Sequence, residues 1–122
     1  MIEKIYKMFY DIIKQNIILK EITVSKQIDK TNILNYLKEH YSEFKNKYNV
    51  EKIGLFGSYA RDEATENSDI DIFVKMKPSL FDMVAIKEQI ENDLNRKVDI
   101  IREHKNIKPI FLKMIQKDLI YA

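Results

Sequence analysis

Gly57-Ser58-Tyr59-Ala60-Arg61-Asp62-Glu63-Ala64-Thr65-Glu66-Asn67-Ser68-Asp69-Ile70-Asp71-Ile72-Phe73-Val74 is the stretch on which the reading of this 122-residue chain turns. Its second half alternates strictly from Asp69 to Lys75. In a strand, that alternation puts Ile70, Ile72 and Val74 on one face and Asp69, Asp71 and Phe73 on the other. The run before it, Val50 to Phe56, reads as an earlier strand leading into Gly57-Ser58, with a short helix from Ser58 to about Glu63. A strand that ends in Gly-Ser at the mouth of a helix exposes backbone amides beside a residue with no side chain, so an anionic group can come close. Ser58 either donates its hydroxyl to that group or caps the helix.

Outward from this stretch the hydrophobic period changes. After Pro78, Ser79-Leu80-Phe81-Asp82 resembles a capping box, and Met83, Ile86, Ile90 and Leu94 carry a helix to about Asn95. Lys97 to Arg102 reads as a third strand, and Pro109 opens a last helix bearing Ile110, Phe111, Met114 and Ile115. The chain closes on a short apolar piece, Leu119-Ile120-Tyr121. Upstream, Ile33, Leu37, Tyr41, Phe44 and Tyr48 mark the buried face of a helix that starts near Asp29 or Thr31. Ile2, Ile5, Tyr6, Phe9, Ile12, Ile13 and Ile17 mark another over residues 2 to 19, whose stripe must bury itself against the core or a partner chain. Residues 20 to 30 read as a connector. Strands separated by helices give an α+β (α/β) layer fold, and a sheet of about three strands needs helices packed on it.

Composition narrows the function classes. The length suits one folded core, organised as an N-terminal helical extension, 1–29, and a domain over 30–122. The chain is 45% hydrophobic with a net charge of +2, too apolar and too balanced for a disordered polyelectrolyte. It has no cysteine, which removes disulfides, thiolate zinc sites and cysteine nucleophiles together. No apolar run approaches the roughly 20 residues of a membrane span and no secretory signal is visible, so a cytoplasmic, membrane-free protein is expected. Residues 1–50 hold nine lysines against six acids. That excess is too small for the basic stripe of a nucleic-acid binder, and no direct nucleic-acid contact is expected.

The chemistry rests on carboxylates. Asp69 and Asp71 project from the same face, roughly 6 to 7 Å apart along a strand rising about 3.3 Å per residue. Like charges held so close repel, and a divalent cation or cationic partner relieves them. All-oxygen ligands suit magnesium or manganese rather than zinc. A bare D-x-D is compatible with an ordinary exposed strand face, but Asp99, between Val98 and Ile100, joins the first two if its strand neighbours theirs. Three acids on one sheet face beside a phosphate seat describe a metal-dependent phosphoryl or nucleotidyl transfer site. Asp99 would then help take the proton of the attacking hydroxyl.

Gly57-Ser58, ten intervening residues and Asp69-Ile70-Asp71 resemble the signature of the polymerase β nucleotidyltransferase superfamily. The fuller run G-S-Y-A-R…S-D-I-D-I-F-V resembles its minimal nucleotidyltransferase (MNT) branch, with Lys52-Ile53-Gly54-Leu55-Phe56 before it and Arg96-Lys97-Val98-Asp99 after it. The resemblance covers most of residues 30 to 122. It implies a small mixed sheet flanked by helices, two Mg2+ ions on Asp69, Asp71 and Asp99, and ATP phosphates at Gly57 and Ser58, with Arg61 and Ser68 as further nucleotide-binding candidates. MNT proteins of this kind are often antitoxins that transfer AMP from ATP to a tyrosine of a HEPN-domain ribonuclease toxin, which implies a hetero-oligomer with the toxin. The alternatives are a non-catalytic antitoxin that acts by binding, and a transferase acting on RNA or a small molecule.

Two departures stand out. Asp62 occupies the position where the family commonly has glycine, and the first 29 residues lie outside the resemblance. Arg61 could reach phosphate or form a salt bridge, Ser68 could shape the turn with Asn67, and Tyr59 could line the pocket or pack beneath the helix. His40 and His104 lack ligand spacing. The chain has only two glycines, and Gly54, mid-strand, suggests a close approach by a neighbouring backbone or helix.

Overall fold

The computed structural model describes residues 2–11 and 28–122. Residues 2–11 form helix α1, with Ile2, Ile5, Tyr6 and Phe9 exposed rather than packed on the core. The rest of the expected first helix, residues 12–19, and most of the connector lie outside the described residues.

Asp29, not Thr31, starts the second helix, α2 (Lys30–Tyr48). Its side chain accepts from the Asn32 amide at 2.8 Å, and the Asn32 side chain accepts from the Asp29 amide at 3.1 Å. This reciprocal cap satisfies two of the amides that a helix start leaves unbonded. Asn49, at φ 56, ends the helix in the left-handed conformation that asparagine tolerates. The chain then enters β1 (Val50–Phe56), a four-residue helix α3 (Gly57–Ala60) and β2 (Ile70–Met76). Next come α4 (Leu80–Leu94), capped by Ser79, β3 (Val98–Arg102), α5 (Pro109–Asp118), with its proline in the first turn, and β4 (Ile120–Tyr121).

The four strands are ordered β3-β2-β1-β4. β1 runs antiparallel to β2 and β4, and β2 runs parallel to β3, so the sheet is mixed, as the family resemblance implies. Its two faces follow the alternation in the sequence. Ile70, Ile72 and Val74 join Ile53, Leu55 and Val98 beneath Ile33, Leu37 and Phe44 of α2 and Ile86 and Ile90 of α4. Phe56 and Phe73 lie on the other face against Ile115 of α5, their rings edge-on at 88° with centroids 6.4 Å apart. Ile72, Leu55 and Ile90 are wholly buried, and each contributes about 1.5–3 kcal/mol of transfer free energy. The face carrying Phe73 is covered only towards α5, so the stretch of β2 before it stays available for a site.

The strand beyond the expected three is β4, two residues long. Two residues show no alternation, so only the pairing of Gly54 with Tyr121 and Leu55 with Ile120 reveals it. The same pairing explains Gly54. A β-carbon there would stand 2.8 Å from the Ile120 carbonyl oxygen and from Leu119 Cδ1, closer than real contacts. Gly54→Ala is therefore expected to lose about 1–3 kcal/mol through overpacking, read as a lower urea midpoint with an unchanged slope.

Candidate active site

Phe56 and Gly57 bring the chain from β1 to the mouth of the site. Gly57 has φ +75, and a β-carbon on it would overlap the Asp71 carboxylate Oδ2. The residue therefore leaves room first for Asp71 and, next to it, for a ligand. α3 starts one residue earlier than expected and has no side-chain cap, so Ser58 does not cap it. The helix is also shorter than expected. Arg61 is its C-cap, and Asp62, at φ 58, turns the backbone left-handed.

That positive φ explains why glycine suits position 62. Here the Asp62 carboxylate takes an ion pair from Lys30 Nζ at 2.9 Å, so its charge is engaged by the start of α2. Tyr59 is buried in the main core and packs beneath α3. Arg61 is held by Asp118 at 2.7 Å and by Glu63 at 3.0 Å, and its charge still lowers the Asp71 pKa. The salt bridge read from the sequence is present, on a partner 57 residues away. Ser68 is engaged in the turn, its hydroxyl accepting from the Thr65 amide at 2.8 Å. His40 Nδ1 donates to the Tyr36 carbonyl, and His104 accepts from the Asn106 amide; neither joins the site.

Asp71 and Asp99 come side by side, because their strands adjoin. β2 begins at Ile70, so Asp69 is the residue immediately before it. Asp71 is in parallel register with Asp99 of β3, and across β1 it is opposite Phe56. Neighbouring strands are about 4.8 Å apart, so Asp71 and Asp99 stand side by side on one face. Asp71 is half-buried, whereas Asp99 is exposed. Desolvation, then repulsion from Asp99 and Asp69, pushes the Asp71 pKa up to about 6, with Arg61 opposing.

Among the described residues no group of three or more histidine, cysteine, aspartate or glutamate side chains is placed so that it could hold a metal ion, so Asp69, Asp71 and Asp99 do not by themselves make a three-ligand site. An open, all-oxygen set suits Mg2+, which keeps several waters and shares its shell with substrate phosphates. Asp69, Asp71 and Asp99 are the residues that would hold it, and a cation would offset both the desolvation and the repulsion from Asp99 and Asp69 that raise the Asp71 pKa.

A cavity of about 510 Å³ opens beside Asp71 and Asp99, walled by Phe56, Ile101, Lys87 of α4 and Phe111 of α5. Neither Lys87 nor Phe111 was a site candidate in the sequence, where Phe111 was marked only as an apolar residue of the last helix. Each sits on an amphipathic helix remote from the motif, and only the packing of α4 and α5 on the sheet brings them there.

A Gly-Ser turn beside Asp69 and the strand carboxylate Asp71, with Asp99 on the adjacent parallel strand, is the arrangement expected of a nucleotidyl-transfer class of site. The model of the polymerase beta nucleotidyltransferase family matches residues 38–122. A Methanocaldococcus jannaschii protein whose name places it among the protein adenylyltransferases is 42% identical over 96 residues, 75% of this chain and 96% of that one. The chain belongs to the polymerase beta nucleotidyltransferase family. A solved minimal nucleotidyltransferase superposes with TM-score 0.65 at 26% identity, over 78% of this chain and 97% of the other. A chain in the complex of a tri-AMPylated Shewanella oneidensis HEPN toxin with its MNT antitoxin shares the fold. It superposes with TM-score 0.54 at 17% identity over 75% of this chain and 70% of its own.

The raised pKa makes Asp71 costly to the fold. Because the folded state binds its proton more tightly than the unfolded chain, the penalty is absent below pH 4 and grows as pH rises through about 6. Two pK units correspond to at most about 3 kcal/mol, which solvent screening of a half-exposed group reduces to about 1 kcal/mol. In metal-free buffer Asp71→Asn should therefore melt higher than the parent at pH 7.5 and equally at pH 3.5. Equal melting at pH 7.5 would contradict the repulsion.

Proposed function

We propose that this chain transfers AMP from ATP, with magnesium, to a tyrosine hydroxyl of a HEPN-domain ribonuclease toxin and thereby acts as its antitoxin. The observation that carries the reading is the register of Asp71 with Asp99 beside the Gly57 opening. The name of the M. jannaschii relative supports a protein as acceptor, and the Shewanella complex supports a HEPN toxin as that protein.

Gly57 and Ser58 receive the triphosphate at the end of β1, and Asp69, Asp71 and Asp99 would hold magnesium beside it. Bound magnesium supplies charge neutralisation and lowers the pKa of the attacking hydroxyl. Asp99, more exposed than Asp71, faces the acceptor and takes its proton. The acceptor oxygen then bonds to the α-phosphorus, the bond from that phosphorus to the bridging oxygen breaks, and pyrophosphate leaves with the electron pair. The products are an AMP phosphodiester and pyrophosphate. The protein's contribution is positioning and electrostatics, and Arg61, fixed between Asp118 and Glu63, keeps a positive charge beside the carboxylates.

Incubation of the protein with Mg2+, ATP and the HEPN-domain toxin should add one or more AMP masses to the toxin. Asp71→Asn and Asp99→Asn should each reduce the rate at least about 100-fold, the scale of losing a group that stabilises the transition state. Binding of the toxin should persist in both variants. Neutralisation that survives Asp69→Asn plus Asp71→Asn without any mass gain would establish the non-catalytic antitoxin instead.

A further inference from the structure

Helix α5 buries Ile115 and packs Leu112 against the sheet, yet its opposite side is apolar as well. Ile110 is 73% exposed, Met114 64% and Phe111 41%. Residues 110 and 114, four apart, share a face, and Phe111 lies three before Met114. Lys108, Lys113 and Lys117 surround these residues and are all exposed. Among the described residues no ion pair engages any of the three lysines. An apolar centre with a charged rim is the anatomy of a protein interface, and uncovered large apolar groups at this density mark a contact surface.

The location says what covers it. Phe111 is at once part of this face and a wall of the cavity beside Asp71 and Asp99. If the acceptor hydroxyl belongs to a folded protein, the surface around it must come down on the cavity walls, and α5 is one of them. We propose that the outer face of α5 is the docking surface for the acceptor protein, whose matching surface has an apolar centre with an acidic rim. The inference rests on the acceptor being a protein, as above, and adds where that protein sits. The apolar centre favours a protein over RNA, which would be met by lysines and stacking rings without exposed Ile and Met.

The test uses Ile110→Glu/Met114→Glu and, separately, Lys108→Glu/Lys113→Glu/Lys117→Glu in the full chain, with the HEPN-domain toxin as probe. Each variant should weaken toxin binding by about thirtyfold or more, the scale of an interface hot spot. ATP affinity and melting temperature should stay at parental values. Toxin affinity unchanged in both variants would overturn the proposal. So would loss of RNA retention by the lysine variant alone, with toxin binding intact. A parent chain that binds the toxin through this face yet transfers no AMP would leave the docking surface standing and overturn the transfer reading.

Discussion

The close approach of Gly57 to the Asp71 carboxylate is the constraint on which the site depends. β1 and β2 pair so that Phe56 is opposite Asp71, and the next residue must turn left-handed in space that any side chain would contest. Only glycine meets both conditions without strain. Once it does, the opening at the end of β1 and the carboxylate of β2 are adjacent, so an anionic group entering the opening would come next to Asp71. Everything else in the sheet serves this juxtaposition: β3 adds Asp99 in register, and β4 closes the far side of β1 over Gly54.

The cost of the arrangement is local and electrostatic. Asp71, partly buried and near Asp99 and Asp69, opposes folding when ionised, and the surrounding core absorbs that opposition. Ile70 and Ile72, on either side of Asp71 in sequence, are wholly buried, so the strand cannot withdraw its carboxylate without exposing them. The hydrophobic face of β2 thus holds the charged face in place, which is how an alternating sequence turns apolar burial into catalytic preorganisation.

Much of this was legible in the sequence, for stated reasons. The alternation from Asp69 to Lys75 fixed which residues of β2 face the core, and it placed Asp71 and Asp99 on a common face provided that β2 and β3 adjoin. Ser79 and Pro109 announced their helices through local chemistry. Long-range pairing was not legible. Nothing near Arg61 indicates that Asp118 will hold it, nothing near Asp62 indicates Lys30, and β4 is too short to carry a period. Lys87 and Phe111 reach the cavity only through the packing of two helices. The two glycines, sparse in composition, turned out to mark two close approaches at β1 and its end, one by β4 and one by a carboxylate.

The proposed transfer requires Asp69, Asp71 and Asp99 together to form the ion site. Titration with Mn2+ in the presence of a non-hydrolysable ATP analogue, followed by electron paramagnetic resonance, tests it directly, since manganese takes the same oxygen ligands as magnesium. Two protein-dependent ions per chain are expected for the parent, with Asp99→Asn losing one and Asp71→Asn losing both. Manganese uptake no greater than that of the free nucleotide, or uptake unchanged in Asp71→Asn, would contradict it.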